Sequence, residues 1–539
     1  MDSPETAGSA QTIKRQIARA AGTVMIAFII SNIIGLLRTI VIYRTFGTTL
    51  QLDSFYAANR VTELLFNLMA GGALGSAFIP TFTGFLTRKD PKGAWRLASS
   101  VINLLLVALI LICILGFIFA PQIVQHGLFI LDPSAKIGQV ELTTTLLRIL
   151  LPSIILFGIS GLVMGMLNSH QVFLVPQLAP SMYAIGMIAG VFLLPASWGI
   201  YRLAWGALMG SALHLLVQLP TLFKLKFAYQ PIFGWKIPQV REVFRLFLPR
   251  IFGVAIVQLN FIVNTIIALS LVDGSVSAIT LGFTLMLMPE MVIAQSIAIA
   301  SLPSFSAQVE LGKLDDMRVS LAATLRGVLL LAIPATLGLI LLREPLIRFL
   351  FQNGSVFTNQ STQMGAWALL WYSAGLVGHS VVEIISRAFY ALHDTRTPVI
   401  VGATAMGINL GFSFLFSWLF GKIGWLPLGG LALANSLATF LEMITLILIM
   451  RKRLNGLEGS SVWDAVLRSL IGVAVMGATV WGWMALMQGH SAAVTTLGGL
   501  IIGAVVYGLG LILLKVPEVG IAIRLLGNMF KRKAANPGS

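Results

Sequence analysis

The residues of this chain that could do chemistry are charged and amide side chains set inside apolar runs. In IISNIIGLLRTIVIYRTFG, Ile29 to Gly47, Arg38 stands mid-run, with Asn32 before it and Arg44 after it. A guanidinium at mid-bilayer costs several kcal/mol or more unless it meets water or a partner, so it marks a functional interior. The next run, LQLDSFYAANRVTELLF, supplies Asp53, Arg60 and Glu63. Arg38 and Arg60 lining a wet cleft would suit an anionic, phosphate-bearing substrate, because guanidinium grips phosphate oxygens through paired hydrogen bonds. The alternative is an ion pair between helices, Arg38 or Arg60 with Asp53 or Glu63.

Two further stripes carry polar groups. QLNFIVNTI places Asn260 and Asn264 four residues apart, on one helical face, where amides either tie helices together or line a cavity. His379, Glu383 and Arg387 follow at successive four-residue steps, either a proton relay or an ion-pair ladder. Glu290 and Glu442 are isolated carboxylates in apolar surroundings. The histidines are scattered and no Cys/His/carboxylate group has metal-site spacing, so no metal or other cofactor is expected. No G-x-x-x-x-G-K-[ST] phosphate loop occurs, which argues against ATP hydrolysis in this chain.

Membrane helices must position these residues. Of 539 residues, 57% are hydrophobic and 10% charged, and the mean hydropathy is +0.90. Soluble domains run near a quarter charged, so this is an integral membrane protein. The net charge of +16 does not imply nucleic-acid binding, because the cations sit in the short connections rather than on one face. At about 20 apolar residues per crossing, the chain reads as about fourteen spans. They lie near 23–46, 55–86, 94–120, 143–168, 175–197, 202–224, 244–272, 276–307, 317–342, 362–392, 397–420, 425–450, 464–487 and 493–515. Strand-type alternation is absent, which argues against a β-barrel. Arg88, Lys89, Lys92, Lys224, Lys226, Lys236, Arg451, Lys452 and Arg453 crowd alternate connections, placing both termini in the cytoplasm.

The chain also repeats itself. AFIPTFTGF resembles ASLPSFSAQ, which aligns Pro80 with Pro303. NSHQVFLVP ends at Pro176 and ALHDTRTP at Pro398, a separation almost identical to that of the first pair. Two landmarks at nearly one spacing predict two homologous six-span lobes around a central cleft, with the last two spans an appendage. The expected organisation is a cytoplasmic leader over 1–22, an N-lobe over 23–226, a C-lobe over 227–452, a helix pair over 453–516 and a basic tail over 517–539.

SRAFYALHDTRTPVIVG, together with SNIIGLLRTIVIYRTFGTTLQLDSFYAANR, QLNFIVNTI, LPSFSAQ and LFQNGSVFT, resembles the MurJ (MviN) family, the bacterial lipid II flippases of the MOP transporter superfamily. The resemblance runs over nearly the whole chain. It implies a fourteen-helix alternating-access fold and a substrate of undecaprenyl-pyrophosphate-linked peptidoglycan precursor. It also implies a lipid-tail groove at the last two helices, action in the bacterial cell membrane, and cell-wall synthesis enzymes as partners. By resemblance, Arg38 occupies the place of a cavity arginine, Asp53 that of an acidic residue and Arg60 that of a basic one. Asn32, Phe66 and Thr284 stand where the family carries further arginines, and Thr39, Gly71 and Phe283 where it carries acids. The reading is a transporter rather than an enzyme, with Arg38, Asp53, Arg60, Asn32, Asn260 and Asn264 as substrate contacts and His379, Glu383 and Arg387 as ion or proton coupling groups. The competing readings are an exporter of drugs or another polyprenyl-linked glycan, a membrane glycosyltransferase, and a non-transporting scaffold for cell-wall enzymes.

Overall fold

A computed structural model describes residues 27–69, 73–132, 137–518 and 520. The leader expected over 1–22 and the tail beyond 520 lie outside the described residues. Every regular element among the described residues is helical. The first half runs α1 (Ala27–Phe46), α2 (Leu50–Met69), α3 (Ala73–Thr87), α4 (Pro91–Ile118), α5 (Ile137–Leu150), α6 (Pro152–Ser169), α7 (Leu174–Leu193) and α8 (Tyr201–Leu216). It continues with α9 (Pro238–Leu269), α10 (Ser275–Glu290), α11 (Ser296–Glu310), α12 (Leu314–Phe351), α13 (Asn359–Ser373) and α14 (Leu376–Ala391). The last four are α15 (Arg396–Lys422), α16 (Leu428–Arg453), α17 (Gly459–Leu486) and α18 (Ala492–Leu513). Helix is what hydrocarbon demands, since it satisfies every backbone amide within the segment.

Among the described residues, eleven helical segments are long and apolar enough to cross a membrane, or twelve if α13 and α14, bent by 45° at their junction, form one span. The chain is thus a multi-pass membrane protein, but the count of fourteen is not confirmed. The two remaining expected spans, 55–86 and 244–272, fall on α2 with α3 and on α9. There the described residues give the shorter apolar stretches Ala77–Thr87 and Gln258–Leu269.

The chain divides into two compact units with the boundary between Val276 and Ser277. In the first unit α9 packs on α2 and α3, and the closest pairing is α7 on α8. That pairing depends on glycine: a Cβ on Gly186 or Gly190 would run into the backbone of Gly210 or Gly206. Apolar residues cannot draw helices together inside lipid, so such backbone approach supplies the packing instead. In the second unit Phe305, Leu321, Ile384, Phe389 and Leu446 build a core from α11, α12, α14 and α16. The terminal pair α17 and α18 docks on α12 through Leu342, Met476, Val480 and Tyr507. The Tyr507 hydroxyl donates to Leu330 O at 2.8 Å and lies 2.7 Å from Ser469 Oγ.

The repeat extends to local geometry. Pro80 and Pro303 lie inside α3 and α11. Each of these helices is closed by a left-handed residue, Lys89 (φ 57°) and Gly312 (φ 69°), set at the same spacing as the two prolines. After α6 and α14 the left-handed residues are Gln171 (φ 62°) and His393 (φ 58°), set at the spacing of Pro176 and Pro398. A left-handed residue stops the helical ladder and turns the chain into the next element.

Candidate functional site

In the first unit, α1 is fixed to α7 by Ser31, whose hydroxyl lies 3.0 Å from Gln177 O and 2.6 Å from Ser181 Oγ. Nearly two turns on stands Arg38. It is partly exposed, within electrostatic reach of Tyr43, Tyr56 and Tyr183, and its buried Nε has no hydrogen-bond partner among the described residues. A buried donor left unpaired costs about 1–3 kcal/mol, which an anion would relieve.

On α2, Arg60 Nη1 donates to Glu63 Oε2 at 2.8 Å, one turn away, and Asn59 Nδ2 donates to the other oxygen, Oε1, at 2.8 Å. Asn59 Oδ1 in turn accepts from the Tyr183 hydroxyl of α7 at 3.4 Å. The Phe261 ring of α9 lies 5.1 Å from the Arg60 guanidinium carbon. Arg60 is therefore paired with an acid of its own helix, not across helices as the alternative from sequence had it. Tyr56, Asn59, Tyr183 and Phe261 were not singled out from sequence, because their places depend on how α2, α7 and α9 meet.

The remaining sequence candidates are placed as follows. Asp53 is 2% exposed and its Oδ2 accepts the Gly274 amide at 2.7 Å. Gly274 sits at φ 89°, and a Cβ there would come within 2.5 Å of Thr48 O. Asp53 thus ties the turn after α9 to the start of α2. Asn32 Nδ2 donates to Phe28 O of its own helix at 2.9 Å. Asn264 Nδ2 donates to Asn260 Oδ1 at 3.1 Å, so the two amides do share a face, Asn260 directly before Phe261 and Asn264 nearly a turn after it.

The second unit gathers the coupling candidates only in part. Arg387 pairs with Glu383 at 2.5 Å, with its guanidinium carbon 5.8 Å from the Tyr390 ring. His379, a turn away, engages α16 instead: its Nε2 lies 3.2 Å from Asn435 Oδ1 and 3.3 Å from Thr439 Oγ1. The Phe283 ring of α10 lies 6.3 Å from it. Among the described residues no group of three or more His, Cys, Asp or Glu could hold a metal ion.

Helical in every described element and multi-pass, this chain has the fold of a MOP-superfamily transporter. An inward-facing multidrug-resistance MATE transporter of that superfamily superposes with a TM-score of 0.65 at 16% identity, covering 80% of this chain and 96% of that one. The family model of lipid II flippase MurJ matches residues 42–499, and the chain belongs to that family. The "Probable lipid II flippase MurJ" of Vibrio cholerae is 30% identical over 506 residues, 91% of this chain and 94% of the relative. Lipid II flippase MurJ of Burkholderia cenocepacia is 31% identical over 475 residues, 87% of this chain and 90% of the relative. A solved structure of lipid II flippase MurJ in an inward closed conformation has a TM-score of 0.77 and 25% identity, covering 90% of this chain and 97% of that one.

Proposed function

We propose that this chain is a lipid II flippase that carries the pyrophosphate-linked headgroup from the cytoplasmic to the outer leaflet by alternating access, in a bacterial cell membrane with both termini cytoplasmic. The observation that carries the reading is Arg38: a membrane-helix guanidinium with a buried N–H that has no partner among the described residues, in a chain that matches the flippase family across residues 42–499.

Arg38 and Arg60 grip the pyrophosphate, with Asn32, Asn260 and Asn264 offering amides to the sugars. Asp53 acts by holding the Gly274 turn. His379, Glu383 and Arg387 form the coupling group of the second unit. The organisation is an N-lobe over 23–226 and a C-lobe over 227–452, with the terminal pair over 453–516 serving the lipid tail. Cell-wall synthesis enzymes receive the product. An inside-negative potential favours outward passage of an anionic headgroup by about 2.3 kcal/mol per charge per 100 mV.

The test is headgroup translocation in reconstituted vesicles, paired with rescue of flippase-depleted cells. Arg38→Ala removes a charge-assisted grip of about 1.5–3 kcal/mol, so translocation falls about tenfold to a hundredfold, and Arg38→Lys recovers part of it. Unchanged translocation in Arg38→Ala overturns the proposal. A second reading, export of a different polyprenyl-linked glycan or a drug, is favoured by Asn32, Phe66 and Thr284 standing where the family resemblance calls for arginines. Competition between lipid II and other lipid-linked sugars for binding separates the two.

A further inference from the structure

We propose that the connection between Phe223 and Arg245 is a docking site for anionic phospholipid headgroups of the leaflet it faces, separate from the transported substrate. Phe233 and Trp235 are each more than half exposed there, at 56% and 54%. Lys226, Lys236, Arg241 and Arg245 are exposed beside them, and none of the four is held in an ion pair among the described residues.

This exposure is built rather than slack. Asn103 of α4, itself buried, donates from Nδ2 to Gln230 O at 3.2 Å and to Ile232 O at 2.8 Å. Its Oδ1 accepts the Tyr229 hydroxyl at 2.6 Å, and the Gln230 amide donates to Ser99 Oγ at 3.0 Å. Further on, Arg241 Nε donates to Trp235 O at 2.9 Å and the Trp235 ring lies 5.7 Å from Phe244. The segment is tied to α4 on one side and to α9 on the other, and Phe233 and Trp235 still stay more than half exposed.

The two kinds of side chain make opposite demands. Water suits the four cations but leaves large rings wet, and neutral lipid suits the rings but offers the cations no net charge. A layer of anionic headgroups meets both, because aromatic rings settle at headgroup level and basic residues are drawn to anionic lipid.

The full-length protein is placed in nanodiscs in which either phosphatidylglycerol or phosphatidylcholine carries bromine, a quencher of tryptophan emission. The Trp235 signal is the difference between wild type and Trp235→Phe, a variant that keeps an aromatic ring. Brominated phosphatidylglycerol is expected to quench that signal about twofold more than brominated phosphatidylcholine at equal mole fraction. The preference disappears in Lys236→Gln with Arg241→Gln, and excess inorganic phosphate leaves it intact. No quenching by either lipid places the segment in water or under a protein partner and overturns the proposal. Equal quenching by both lipids, or relief by inorganic phosphate, overturns the choice of an anionic lipid as occupant.

Discussion

Arg38 and Arg60 differ in what already neutralises them. Arg38 keeps a buried donor open, whereas Arg60 is held by Glu63 at 2.8 Å with both groups partly exposed, 23% and 42%. A pair this wet is worth about 0.2–1 kcal/mol, small enough for a phosphate to displace the carboxylate. Glu63→Gln should therefore tighten binding of a short-chain lipid pyrophosphate by about twofold to fivefold, read by titration in detergent. Weaker binding in that variant would make Glu63 a support for Arg60 rather than its competitor. Arg38 was legible in the sequence because a charge amid apolar residues is conspicuous. The Glu63–Asn59–Tyr183 chain was not, since Asn59 and Tyr183 lie far apart along the chain and look ordinary one at a time.

Turns decide how these helices are held. At the start of α15, Asp394 accepts from the Thr397 hydroxyl at 2.6 Å, from the Thr397 and Arg396 amides at 3.0 Å each, and pairs with Arg453 at the end of α16. The Thr397 hydroxyl first, then its amide, with help from Arg453 and the Arg396 amide, holds the carboxyl below its ordinary value, burial opposing. A lowered folded pKa means this contribution is complete above the unfolded value of about 3.9 and is lost as acid titrates the folded carboxylate. Asp394→Asn is expected to lower the unfolding temperature at pH 7 by a few degrees, and to narrow its gap to wild type as pH falls below about 4. At the Gly274 turn, φ 89° and the Thr48 carbonyl leave no room for a side chain. Gly274→Val should cost about 1–3 kcal/mol, seen as a lower midpoint in denaturant. The helices could be read from apolar run length. These turns could not, because a positive φ at Gly274 follows from where Thr48 and Asp53 arrive.

At the scale of the whole molecule, the terminal helix pair is tied to α12 of its own unit at two heights. Tyr507 bonds Leu330 O within the apolar seam, while Arg326 on α12 reaches Glu518 at 2.6 Å and Ser461 Oγ at 2.9 Å. Arg318 adds Glu458 at 3.2 Å. Interhelical hydrogen bonds in membranes average about 0.6 kcal/mol, so Tyr507→Phe alone should be mild. Arg326→Ala removes the tie shared by Ser461 and Glu518, and is expected to speed proteolysis in the 454–461 connection several-fold without unfolding the rest. Equal cleavage rates would show that apolar packing alone holds the pair.

Run length, charge placement and the two proline landmarks at nearly one spacing already pointed to a helical, repeated membrane protein and singled out Arg38 as a charge inside an apolar run. Those are one-dimensional properties, set by the thickness of hydrocarbon and the cost of burying charge. Only the tertiary structure decided that α9 packs on α2 and α3, that Asp53 holds a backbone amide and that His379 turns to α16. It also decided that Arg38 keeps an open donor while Arg60 is already paired. A side chain's partner is fixed by which distant helix arrives beside it, and no local pattern of residues carries that information.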